Sequence, residues 1–206
     1  MKYIFVHGLG QNSSTWEKTV SFLDNKTKIT TPDLFLLNPD NNTYNQLYTS
    51  FCEYLEDSSE PLVLVGLSLG AILALNYTIE HPQRVQSLVL IGAQYKMPKW
   101  LLKTQNIVFH FMPESTFQKI GSSKSDFIQL TKSMIGLDFS NELQKIQTNT
   151  LVLCGEKDYA NKKAAKKLAE QIPHSKLLTV VHAGHELNTE APKKLASILN
   201  DFFKNN

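Results

Sequence analysis

The chain has 206 residues, 42% of them hydrophobic, and a formal net charge of +2 at pH 7. That length supports one good core with a small excursion from it, and the near-neutral balance gives no reason to invoke nucleic acid or an acidic membrane surface. Cys52 and Cys154 lie far apart with no metal-ligand or CxxC spacing, the first apolar run is too short for a signal-peptide core, and no run approaches a membrane span, so a soluble cytoplasmic protein is expected.

Residues 2–6 form an early apolar strand that ends directly in His7-Gly8-Leu9-Gly10. Ser14-Thr15-Trp16-Glu17 has capping-box spacing, and Trp16, Val20 and Leu23 recur at helical intervals, which predicts a helix over about 15–25. A β-branched run at 28–31 closes on Pro32-Asp33, and an Asn, Asp and Pro-rich loop follows. Leu47, Phe51, Tyr54 and Leu55 place a second helix over 44–55.

Residues 62–65 are a branched, uninterrupted apolar run and 71–77 a helix-forming run, with Gly66-Leu67-Ser68-Leu69-Gly70 between them. That is strand, tight turn, helix. A serine at the apex of such a turn is forced toward a left-handed backbone, and the flanking glycines remove the side chains that would collide. The Ser68 hydroxyl is thereby held above the strand ends, where the N-terminus of the next helix favours an anion. Chance alone produces GxSxG in roughly one chain of this length in fifteen, so the motif needs its structural context.

A strand over 85–91 closes on Gly92-Ala93. From 94 to 147 the character changes to a stretch rich in aromatics and methionine, among them Trp100, Phe109, Phe111, Phe127 and Met134, with helical spacing at 100–111 and 127–135. A strand at 151–154 leads into Gly155-Glu156-Lys157-Asp158, a helix covers 160–172, a last strand at 176–181 ends in His182-Ala183-Gly184-His185, and a helix closes the chain over 191–203. Alternating strands and helices imply an α/β fold: a mostly parallel sheet of about six strands covered by helices on both faces. Ligands bind beyond the carboxyl ends of such strands. His7, Ser68, Asp158 and His185 each follow a predicted strand, so the fold would bring them to one edge.

The chain order Ser68, Asp158, His185, together with HGLG after the first strand, GLSLG, GEKD and HAGH, resembles the α/β-hydrolase fold superfamily over nearly the whole chain. The resemblance is to a small serine esterase-like member with a helical cap. It implies a nucleophile at Ser68, a base at His185, an orienting acid at Asp158, and an oxyanion hole from the backbone N–H groups of Leu9 and Leu69. It also implies that 94–147 is a cap inserted after the fourth strand, with 1–93 and 148–206 as the core, and that Trp100, Phe109, Phe111 and Met134 line a substrate pocket. A subdomain packing its own core is the plainer reading of that segment.

Several residues compete for these roles. His182 precedes His185 by three positions, Glu156 precedes Asp158 by two, and Glu186 adjoins His185; the resemblance selects the second histidine of HAGH and the aspartate. His7 reads as a structural hydrogen-bonding residue that shapes the oxyanion loop. His81, His110 and His174 show no partner pattern, and no metal or cofactor is called for. Lys162, Lys163, Lys166 and Lys167 read as the solvated face of a helix. Serine at the elbow argues against the dehalogenases and epoxide hydrolases of the fold, which use aspartate. Ala71-Ile72 after Gly70, in place of Gly-Arg, argues against the menaquinone-pathway lyases. Leu-Phe-Leu-Leu after Asp33 replaces the glycine-rich turn of many relatives.

The expected activity is cofactor-independent hydrolysis of a small-molecule carboxylic ester with a modest, mostly apolar acyl or alcohol group. Acyl thioesters share the same chemistry and form the nearest alternative. A ligand-sensing or partner-binding protein that keeps the three residues with little turnover is the alternative from another class.

Overall fold

The computed structural model describes residues 1–24, 26–37, 42–99, 102, 104, 109–118 and 123–204. Six strands, β1 (Lys2–Val6), β2 (Ile29–Thr30), β3 (Leu62–Leu67), β4 (Val85–Ile91), β5 (Asn149–Gly155) and β6 (Ser175–Val180), form one sheet in the order β2-β1-β3-β4-β5-β6. Every pairing between them is parallel. The central strands are branched and apolar throughout because both of their faces are covered. Ile4, Val6, Leu62 and Leu64 belong to one core, whereas Tyr3, Phe5, Val63 and Val65 belong to the other, the period of two expected of a pleated strand.

Helices among the described residues include α1 (Glu17–Ser21), α2 (Tyr44–Glu56), α3 (Leu69–Glu80), α4 (Glu114–Gln118), α5 (Lys124–Ser133), α6 (Lys162–Gln171), α7 (Leu187–Glu190) and α8 (Pro192–Lys204). On one face, α2, α3 and α6 contribute Leu47, Phe51, Leu73 and Leu168 to the core; on the other, Trp16 shares a core with Leu195 and Leu199 of α8. From β1 the chain steps outward to β2, then returns to β3 and proceeds the other way to β6. The direction therefore reverses between β1 and β3, and a crevice opens there at the carboxyl ends.

One predicted element differs in detail. The first helix is a 3-10 turn, Ser13–Trp16, followed by the short α1. Its cap is Asn12, whose Oδ1 accepts from the Ser14 N–H at 3.1 Å, so the Ser14 capping box does not form. The predicted helix over 100–111 lies mostly outside the described residues. No helix among the described residues is long and apolar enough to cross a membrane.

The segment joining β4 to β5 begins as a small antiparallel ribbon. Met97 N–H donates to Leu137 C=O at 3.0 Å, and Phe139 N–H to Tyr95 C=O at 2.8 Å. Farther out, α5 starts in a capping box of Ser123 and Asp126, and its Phe127 packs on Phe117, Phe109 and Phe35 with ring centroids 5.2, 5.9 and 5.0 Å apart. Phe35 precedes α2 in the chain, so this cluster is continuous with the main core.

Candidate active site

Ser68 sits between β3 and α3 with φ 52° and ψ −112°, a left-handed conformation that side chains rarely adopt. The glycines around it explain how the turn closes. A Cβ on Gly66 would lie 2.4 Å from the Gly70 carbonyl oxygen, and one on Gly70 would lie 2.3 Å from that of Val6. Strand and helix approach too closely there for any side chain. Ser68 N–H donates to Ile91 C=O at 2.9 Å, which ties the apex to β4. Leu69 is the first residue of α3, and its N–H belongs to the first turn, which has no intrahelical acceptor.

The loop after β1 runs beside this turn, with the Gly8 Cβ position 3.4 Å from the Ser68 Cβ. His7 is fully buried and holds the loop in shape. Its Nε2 lies 3.0 Å from Leu34 N–H and accepts from it, which places the ring proton on Nδ1, 2.9 Å from the Gly8 carbonyl. That is a structural role. Gly8 N–H is taken by Gln11 Oε1 at 3.3 Å, while Leu9 lies on the cavity wall.

Asp158 and His185 come from the loops after β5 and β6. His185 Nδ1 lies 2.8 Å from Asp158 Oδ2, and the carboxylate is almost wholly buried. Burial opposes the charged forms of both groups. Their mutual hydrogen bond and attraction outweigh it, raising the His185 pKa above its ordinary 6.5 and lowering that of Asp158 below 3.8. Glu186 and Glu190 also favour the imidazolium. Glu190 braces the loop through its carboxylate, which accepts from Gly184 N–H at 2.7 Å and Glu186 N–H at 3.0 Å. Gly92, at φ 56°, makes room for the His185 ring: a Cβ there would lie 2.8 Å from it.

His182, the rival base, points elsewhere. Its side chain is 89% exposed, its φ is 64°, and its backbone N–H donates to Glu156 at 2.7 Å. Glu156, the rival acid, is thereby engaged away from His185.

Ser68, His185 and Asp158 line one cavity of about 270 Å³, with Leu9 and Leu69 at its wall. Ile72, Met97, Leu102 and Met134 are among its apolar lining. Among the residues predicted to line the pocket, Met134 does so, and two do not. Phe111 is 87% exposed, and Phe109 turns its ring onto Phe117 and Phe127 instead of the cavity. Helical spacing gave these two phenylalanines a common stretch but not a common direction, because the aromatic cluster claims one of them. Trp100 lies outside the described residues.

Sequence reasoning missed Asn161 and Gln94. Asn161 Nδ2 donates to both Asp158 oxygens, at 2.8 and 2.9 Å, and its Oδ1 accepts from Gln94 Nε2 at 2.7 Å. The available signal was an amide residue three positions after the acid, at the start of a helix. Both thiols are free, and no group of three or more potential metal ligands occurs among the described residues.

A sequence profile described as the alpha/beta hydrolase family matches residues 3–198. The chain belongs to the alpha/beta hydrolase family. A relative in Arabidopsis thaliana, the alpha/beta hydrolase domain-containing protein VTE7, is 27% identical over 176 residues, covering 69% of this chain and 53% of its own. The pimeloyl-[acyl-carrier protein] methyl ester esterase of Wigglesworthia glossinidia brevipalpis is 26% identical over 159 residues, covering 70% and 56%. This hydrolase-family chain thus spans about half the length of those curated relatives. The solved structure of MenH from S. aureus shares the fold with a TM-score of 0.83 at 18% identity, over 100% of this chain and 94% of that one. An esterase from Exiguobacterium antarcticum does so with a TM-score of 0.81 at 18% identity, over 99% and 92%. The sheet described above is therefore the alpha/beta hydrolase sheet, and esterases are among the relatives.

Proposed function

We propose that the chain is a serine hydrolase that cleaves a carboxylic ester through an acyl-enzyme. Ser68 Oγ attacks the ester carbonyl carbon while His185 Nε2 takes the hydroxyl proton. Asp158 keeps the proton on Nδ1 and stabilises the imidazolium that forms. The N–H groups of Leu9 and Leu69 hold the oxyanion. When the tetrahedral species collapses, the C–O bond to the alcohol breaks and His185 returns the proton to the leaving oxygen. Water then repeats the sequence on the acyl-serine, and the carboxylic acid is released.

The observation that carries this reading is the 2.8 Å Asp158–His185 pair opening onto the same cavity as a serine held at φ 52°. Residues 94–147 act in it as a cap on a core of 1–93 and 148–206, since Met97, Leu102 and Met134 line the cavity together with Leu9, Leu69 and Ile72 of the core. That lining suits a modest apolar acyl or alcohol group. The methyl ester named for one relative belongs to the same reaction class. The two free thiols suit a reducing, cytoplasmic setting.

The test is turnover of short p-nitrophenyl esters by wild type and Ser68→Ala. Multiple turnovers lost by roughly 10⁴-fold or more in the variant, with an unchanged melting transition, support the proposal. A single turnover in wild type, or ester cleavage that survives the substitution, defeats it.

A further inference from the structure

Beyond the three residues assigned to chemistry, we propose that Gln94 and Asn161 form an oriented amide relay that fixes the Asp158 carboxylate and restrains the basicity of His185; this rests on the hydrolase reading above. The orientation of both amides follows from what their ends touch. Gln94 Nε2 lies 3.3 Å from the Ala160 carbonyl, which can only accept, so an NH₂ group belongs there. The same NH₂ lies 2.7 Å from Asn161, which must therefore offer its oxygen. That leaves the Asn161 NH₂ facing Asp158, whose ionised carboxylate also only accepts. A carbonyl at one end and a carboxylate at the other require the same orientation of both side chains.

The position of Asn161 points the same way. It is the N-cap of α6, where asparagine ordinarily turns its side chain onto the helix's free N–H groups. Here it makes no such bond and is 5% exposed. The helix forgoes its cap and the carboxylate gains two donors. Binding both oxygens stops the carboxylate from rotating, which keeps Oδ2 in line with His185 Nδ1. Withdrawing charge from the carboxylate also weakens its hold on the imidazolium, and the positive NH₂ end, 3.1 Å from Nδ1, disfavours that cation further. The other charged groups acting on His185 are Asp158 itself and, from its own loop and α7, Glu186 and Glu190; all three favour the imidazolium. The relay is the counterweight to these three.

Gln94→Glu is the discriminating change. A carboxylate at 94 accepts only, so it draws the Asn161 NH₂ to itself and turns the Asn161 oxygen onto Asp158. Gln94→Leu removes the anchor without reversing it. The His185 pKa is read by NMR titration in the Ser68→Ala background, which needs no turnover and so stands even if the ester-hydrolase reading fails. Asn161→Ala is expected to raise it by about half a unit or more, to move the acid limb of kcat/KM upward by the same amount, and to lower the plateau roughly tenfold. Gln94→Glu should lower the plateau more than Gln94→Leu, and its extra loss should vanish on the Asn161→Ala background. An Asn161→Ala protein with normal melting and an unmoved His185 pKa overturns the relay, as does a Gln94→Glu penalty that persists undiminished without Asn161.

Discussion

The rim above the strand ends and the segment joining β4 to β5 are built on different physics. Around Ser68 and His185, position is dictated by backbone: glycines where no Cβ fits, a serine held at φ 52°, and loops braced by hydrogen bonds to Glu190, Gln11 and His7. In the joining segment, position is dictated by side chains, with Phe117 and Phe127 buried against Phe35 and Phe109. Backbone constraints tolerate almost no substitution, whereas apolar packing accepts any set of side chains of similar volume. A single chain thus carries a backbone-fixed edge beside an aromatic cluster whose packing can be retuned.

The contrast can be broken at its stiffest point first. Gly70→Ala places a methyl group 2.3 Å from the Val6 carbonyl oxygen, and neither β1 nor α3 can yield without separating. A loss of about 3 kcal/mol or more, read from urea denaturation, is expected, together with loss of ester cleavage. Phe127→Ala comes next. It removes a ring shared by three aromatic neighbours and should cost about 3–5 kcal/mol, while Phe127→Leu recovers most of it. Recovery by leucine is the signature of packing, and its absence at Gly70 the signature of backbone.

Acidification gives a smaller effect. His185 must be neutral to accept a proton, and pairing with Asp158 raises its pKa above 6.5. Activity should therefore fall as the pH drops through a midpoint above 6.5, earlier than for an isolated imidazole. A kcat/KM profile whose acid limb lies below 6.5 would count against the pairing as the active state. The smallest effect is expected at Phe111, which is 87% exposed: Phe111→Ser should change stability by less than about 0.5 kcal/mol and leave short-ester KM unchanged.

What could be read from the sequence follows the same division. The inner strands β1, β3, β4 and β5 were legible because each carries an apolar run that is mostly buried, and the edge residues because short glycine-bearing motifs follow strands. The sheet order then does the rest. Asn161 was not legible, because nothing local distinguishes an asparagine that caps its helix from one that turns to a carboxylate. The Asn12 cap was misplaced onto Ser14 for a related reason: several polar residues near a helix start compete for the same N–H groups, and geometry chooses among them. Phe109 and Phe111 show the limit for apolar residues. Composition marks a stretch as aromatic, but which ring turns inward depends on partners far away in the chain, such as Phe35.

Gly92 carries a consequence for reading sequences of this kind. One methyl group at that position would meet the His185 imidazole at 2.8 Å, and under the mechanism proposed above it would push the base off its acid with Ser68, Asp158 and His185 all still present. Silencing by drift therefore needs no change at the serine, the aspartate or the histidine. On that mechanism, a homologue with a side chain at the position of Gly92 would keep the whole motif set and lose the placement of its base.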